Sequence, residues 1–185
     1  MQAKSSIAVY SVFLQTISTL TIGDAMSVQV GDHYIDFTLV DSLKEKHTLS
    51  SYVGKGAIVL AFFPGAFTGA CDREVCALRD SMTRYNDLGA KVFGISVDGP
   101  FALKEFSQKY QLNFALLADF TRATIQAYGV EFSNLGGVEG YKCANRAVFI
   151  IDNEGTVRYA WTASPNPGVE PNYEELVATV QSLNS

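Results

Sequence analysis

Two thiols stand five positions apart in the stretch FPGAFTGACDREVCALRDSM, residues 63–82: Cys71 and Cys76. Pro64 and Thr68 lie just upstream of the first. A close cysteine pair suits three chemistries: a structural cross-link, a metal half-site, or a reacting thiol with a partner thiol. Zinc half-sites favour C-x-x-C, which C-x-x-x-x-C does not supply, and neither His33 nor His47 falls in a ligand pattern. The spacing also departs from the C-x-x-C of general disulfide oxidoreductases. A third cysteine, Cys143, lies far downstream, three residues before Arg146.

The elements around the pair decide what it can do. GAIVLAFF, residues 56–63, is a continuous apolar run of the kind found in a strand buried on both faces. Val75, Leu78, Met82, Tyr85 and Leu88 recur at three- and four-residue spacing, so the cysteine segment enters an amphipathic helix. Cys71 therefore falls near the first turn of a helix, outside the carboxyl end of a strand, where open α/β sheets place ligands. Free N–H groups and the positive end of a helix stabilise an anion, and a thiolate is the anionic, nucleophilic form of cysteine. The bland alternative for Cys71 is a small buried hydrophobe. Its place at the strand-to-helix junction favours a reactive thiol.

The rest of the chain alternates in the same way. Residues 36–40 (DFTLV) read as a short strand, and KEKHTLSSYVGKG reads as turn and loop. KVFGISVD is a buried strand running into Gly99-Pro100, a helix opener. FALKEFSQKYQL reads as helix, FALLAD as strand and RATIQAYGV as helix. RAVFIID and TVRYAW flank the turn signal Asn153-Glu154-Gly155 and form a hairpin, and NYEELVATVQSL closes the chain as an amphipathic helix. This order predicts an α/β fold, one central mixed sheet flanked by helices.

Bulk properties exclude several classes. At 185 residues the chain suits one domain with a real core. A net charge of −5 and a pI near 5.0 lack the basic face that nucleic acid requires. Three cysteines are an odd count and do not form a secreted disulfide framework, so a cytoplasmic, reducing setting is expected. Residues 1–25 carry a single Lys and a broken apolar stretch from Ile7 to Ile22, too short and too polar to cross a membrane. They read as an N-terminal extension, either following an upstream start or weakly signal-like, ahead of a domain spanning residues 26–185.

Pro64-Gly-Ala-Phe-Thr68-Gly-Ala-Cys71 carries the pattern P-x-x-x-T-x-x-C, and the chain continues through REVCALRD, KVFGISVD, FALLADF, AYGV and NRAVFIIDNEG. In all of these it resembles the peroxiredoxins, the AhpC/TSA thiol peroxidases, from about Met26 to the end. The resemblance implies a thioredoxin-like fold and a chemistry that needs no metal, haem or flavin. It implies that Cys71 is the peroxidatic cysteine, converted by a hydroperoxide to a sulfenic acid. Thr68 would hydrogen-bond the thiolate and the incoming peroxide, with a helix N-cap as its alternative role. Pro64, lacking an N–H, would shield the thiolate from water. Arg146 would hold the thiolate and polarise the stretched O–O bond. Glu74 falls where the family often has an acid, a candidate to orient that Arg.

CDREVCALRD is similar to the bacterioferritin-comigratory or Q-type subgroup, which implies that Cys76 resolves the sulfenic acid. Cys143 and an external thiol are the alternatives. On an intact helix, five residues separate two Cα atoms by roughly 8–9 Å, beyond the usual disulfide limit of about 7 Å. A bond between Cys71 and Cys76 therefore requires the first turns to unwind. The partners implied are a hydroperoxide and a thioredoxin-like or other dithiol reductant, with the protein a monomer or homodimer and no membrane or nucleic acid involved. The competing role is a peroxide sensor or redox-regulated holdase on the same fold. Trp161, the one tryptophan, reads as a core aromatic.

Overall fold

Strand β3 (Ile58–Phe62) is apolar at every position because it has no solvent side. It lies between β4 (Lys91–Ser96), parallel to it, and β8 (Ala147–Ile151), antiparallel with Ile58 opposite Ile151 and Phe62 opposite Ala147. The computed structural model describes residues 27–183. The expected N-terminal extension, residues 1–25, lies outside the described residues.

Four further strands widen the sheet: β1 (Thr38–Asp41), β2 (Lys46–Thr48), β5 (Ala115–Ala118) and β9 (Val157–Thr162). Their order across it is β2-β1-β5-β4-β3-β8-β9, with β3, β4 and β5 parallel and the outer pairings antiparallel. The mixed α/β sheet expected from the alternation is present. Four helices flank it: α1 (Gly69–Asp87), α2 (Pro100–Lys109), α3 (Ala123–Ala127) and α4 (Tyr173–Ser182).

Alternate side chains of β3 feed two cores. Ile58, Leu60 and Phe62 join Phe149, Ile125 and Tyr128 on the α3 side. Val59 and Ala61 meet Leu78, Met82 and Tyr85 of α1 and Leu176, Val177 and Val180 of α4 on the other. The same face continues past the strand end as Phe63, Cys71, Val75, Leu103 and Phe106. Gly94 on β4 makes room there, since a Cβ would stand 2.6 Å from a Leu116 methyl and 3.4 Å from the Phe63 ring. Trp161 is half-buried on β9 and packs against the α1–α4 core.

Three segments differ from expectation. The stretch read as turn and loop contains β2 and a 3-10 turn at Leu49–Ser51. β2 is an edge strand, so its polar residues Lys46, His47 and Thr48 carry no apolar run to betray it. The helical reading of residues 122–130 shrinks to the five residues of α3. Beyond it lies an unexpected two-stranded ribbon of β6 (Glu131–Ser133) and β7 (Lys142–Ala144). Cys143 thus sits on β7 opposite Phe132, separate from the strand that follows Arg146.

Candidate active site

The chain leaves β3 at Phe63, whose N–H still donates to the Ile95 carbonyl at 2.9 Å. The next four residues form a tight loop fastened from the neighbouring strand. Asp98 accepts from the Ala66 N–H and the Ser96 hydroxyl, both at 2.8 Å. Phe67 takes a left-handed φ of 62° and lays its ring edge-on to Phe106 at 5.1 Å. Thr68 occupies the N-cap position of α1, but its hydroxyl donates to the Gly65 carbonyl at 3.0 Å rather than accepting from the helix. That bond closes the loop and leaves the first-turn N–H groups free of a side-chain cap.

Cys71 is the third residue of α1 and fully buried. Arg146, between β7 and β8, donates to its sulfur from Nη2 at 3.3 Å. The guanidinium has three destinations: Nη2 to Cys71, Nη1 to Glu74 Oε2, and Nε to the Pro167 carbonyl at 3.0 Å. Its backbone is held as firmly, with its N–H on Asn145 Oδ1 at 2.9 Å and its carbonyl taking the Ala163 N–H at 2.8 Å. Arg146 and Glu74 are each 1% exposed, so the pair is shut off from water.

Electrostatics follow from that enclosure. Burial pushes the Glu74 carboxyl up to about 7, opposed by the attraction of Arg146 and reinforced by Glu170. Burial works to lower Arg146, but Glu74 and Cys71 outweigh it and hold the guanidinium above its ordinary value. Glu74 Oε1 is buried without a hydrogen-bond partner. Cys143 is also fully buried, and burial, followed by the nearby Cys71, raises its thiol to about 11.

Glu74 lies one turn after Cys71, so a single helix face presents the thiol and the carboxylate together to Arg146. Pro64 and Thr68 join Arg146 in lining a cavity of about 290 Å³, with Ala70, Leu135 and Pro167 as further walls. Cys76, five residues on from Cys71, is half-buried. All three cysteines are free. Sequence reasoning missed Pro167 and Leu135, because a backbone carbonyl and a loop leucine carry no signature by residue type. It also missed the anchors of the helix start. Asp72 accepts from the Tyr110 hydroxyl at 2.6 Å, and Arg73 pairs with Glu170 at 2.7 Å. Among the described residues, no helix is long and apolar enough to cross a membrane.

The architecture is that of the peroxiredoxins with a thioredoxin-like fold. It is similar to peroxidoxin BcpB from Mycobacterium tuberculosis, at a TM-score of 0.74 and 26% identity over 85% of this chain and 99% of that one. The chain belongs to the AhpC/TSA family, whose model matches residues 30–160, and is a peroxidase by class. It is 36% identical over 140 residues to alkyl hydroperoxide reductase E of Mycobacterium tuberculosis, covering 75% of this chain and 88% of that relative. It is 34% identical over 148 residues to the chloroplastic peroxiredoxin Q of Triticum aestivum, covering 80% of this chain and 64% of that one. Such relatives match the bacterioferritin-comigratory and Q-type subgroup.

Proposed function

We propose that residues 26–185 form a thioredoxin-dependent peroxidase that reduces hydrogen peroxide and alkyl hydroperoxides through Cys71. The observation that carries this reading is the buried Cys71 sulfur accepting from Arg146 Nη2 at 3.3 Å. A lone buried thiol is inert, whereas one at a helix start beside a permanent cation is held as the nucleophile. In the first step the thiolate attacks the distal oxygen of ROOH. The S–O bond forms as the O–O bond breaks, sulfur is oxidised to Cys71–SOH, and RO⁻ leaves to take up a proton as ROH. Charge develops on the leaving oxygen, and Arg146, with the free N–H groups of the first turn, faces that site without reorganising. Thr68 offers its lone pairs to the peroxide O–H, and Pro64 keeps water from the thiolate.

Cys76 then attacks the sulfenic sulfur, releases water and closes a disulfide, which a thioredoxin-like dithiol reduces. The bond distance requires α1 to open over its first turns, and the polar anchors at Asp72 and Arg73 are the contacts it must release. Three cysteines, an odd count that makes no secreted disulfide framework, suit a reducing compartment, the cytoplasm.

Peroxide consumption coupled to a thioredoxin system tests the reading. Activity vanishes in Cys71→Ser if the account holds. Turnover that survives this change would overturn it, and peroxide-driven oligomerisation without turnover would favour a sensor or holdase instead.

A further inference from the structure

Cys76 lacks what makes Cys71 reactive. It is the eighth residue of α1, past the free N–H groups of the helix start, and Arg146 spends its three nitrogens on Cys71, Glu74 and Pro167. Attack on a sulfenic sulfur nonetheless requires a thiolate. The charged neighbours of Cys76 on α1 are Asp72 and Arg73 in the turn before it and Arg79 and Asp80 in the turn after. Helical side chains lean toward the N-terminus and cover the turn before their own Cα. Arg73 therefore leans away from Cys76, with Nη1 on the Gly69 carbonyl at 3.1 Å and Nε on Glu170 at 2.7 Å. Arg79 leans over the turn that carries Cys76. From α2, Lys109 is stacked over the Phe67 and Tyr110 rings at 5.3 and 5.0 Å.

Arg79 is also pinned from outside its helix. Nη1 donates to the Tyr110 carbonyl at 2.8 Å, while Nε and Nη2 share Asp80 Oδ1 at 2.8 and 2.7 Å. Both flanking carboxylates thus have partners of their own, since Asp72 accepts from the Tyr110 hydroxyl at 2.6 Å. Asp80, by hydrogen bond and by charge, outweighs burial and holds the Arg79 guanidinium above its ordinary value, and an ionised Cys76 adds to this. The attraction is mutual, so the guanidinium favours charge on that sulfur. We propose that Arg79 is the positioning residue of the resolving step, staying on α2 as the first turns open and holding the Cys76 thiolate for its attack on Cys71–SOH. This rests on the peroxidase reading above, with Cys76 as the resolving thiol. An opening that reaches Leu78 leaves Arg79, still tied to Tyr110, as the first residue of the fixed part of α1. Three residues of extended chain span about 10 Å, so the loosened thiol stays within reach of a side chain as long as arginine. In the step itself the S–S bond forms as the S–O bond breaks, and the departing hydroxide takes up the proton that Cys76 released to become water.

The test follows the reduced protein after one equivalent of hydrogen peroxide by quenched mass spectrometry, which separates oxidation of Cys71 from closure of the disulfide. Arg79→Gln leaves the oxidation rate within about twofold and slows closure about fivefold, the scale of a partly exposed charge pair. With excess peroxide, this variant carries more Cys71 on to the sulfinic acid before the disulfide closes. Arg79→Lys keeps the charge and recovers most of the closure rate, which a role in packing alone would not allow. Asp80→Asn loosens the fork but leaves the cation, and closes at least as fast as the unaltered protein. Arg79 is partly exposed, so these changes leave the core intact, and circular dichroism checks this. Unchanged closure in Arg79→Gln, or closure as slow in Arg79→Lys as in Arg79→Gln, would overturn the inference while leaving the peroxidase reading in place. Oxidation of Cys71 with no bond to Cys76 in the unaltered protein would do the same. No oxidation of Cys71 would overturn both.

Discussion

Polar contacts tie the first turn of α1 around Cys71, whereas past Cys76 the helix buries its apolar face in the core shared with α4. Around Cys71, Arg146 reaches the sulfur, Asp72 accepts from Tyr110, and Arg73 spans the Gly69 carbonyl and Glu170. Past Cys76 the anchors are Leu78, Met82 and Tyr85, buried in the core shared with α4. Polar ties break singly, each contributing about 0.5–1.5 kcal/mol net. Buried apolar residues give about 1.5–3 kcal/mol apiece and must leave together with their neighbours. The helix is therefore divided into a releasable start and a fixed body. Val75 stands at the boundary, 1% exposed, and must come out of the core if Cys76 is to reach Cys71.

The deepest break in the comparison is Arg146→Ala. It removes the donor to Cys71 and leaves Glu74 charged or protonated without its partner. Peroxide reactivity falls about 10²–10³-fold, the usual loss of one preorganised donor, measured by stopped-flow oxidation of Cys71. Arg146→Lys recovers little, since an ammonium cannot serve Cys71, Glu74 and Pro167 at once.

Glu74→Gln sharpens the picture through pH. Burial raises Glu74 from 4.5 to about 7 in the folded protein, which keeps a proton that the unfolded chain releases over that window. Stability from this group is full below pH 4.5 and is lost as pH rises through about 7. The variant has no proton to lose, so urea titrations show its stability relative to the natural protein rising by up to ~3 kcal/mol between those limits. A flat difference would mean that Arg146 holds Glu74 ionised throughout.

Tyr110→Phe is the smallest perturbation and acts on the releasable end alone. It unties Asp72, costs about 1 kcal/mol of stability in the reduced form, and speeds disulfide closure by about fivefold. Equal closure rates in the two proteins would show that the first turn is not what limits the opening.

Much of this arrangement is legible in the residues. The apolar run of β3, the three- and four-residue spacing of α1 and the turn at residues 153–155 announce their elements, because burial on both faces, an amphipathic helix and a hairpin each leave a periodic trace. The position of Cys71 in the first turn follows from two of them. Arg146 is a different case: nothing in its local sequence separates it from a surface arginine, and the family pattern alone singled it out. The polar edge strand β2 and the short ribbon β6–β7 leave no apolar period, and the links from Asp72 to Tyr110 and from Arg146 to Pro167 join residues 38 and 21 positions apart. Those contacts are set by how the elements pack, which residue type does not encode.

The division of α1 is tested most directly by hydrogen exchange on the reduced and peroxide-oxidised protein, with the cross-linked peptides identified in the same digest. The expected result is a disulfide between Cys71 and Cys76 and loss of amide protection from Cys71 to Leu78, whose N–H depends on the Glu74 carbonyl in the opened turns although its side chain stays in the core, with protection kept over the rest of α1. A bond formed with the whole helix still protected, or a bond from Cys71 to Cys143, would contradict it.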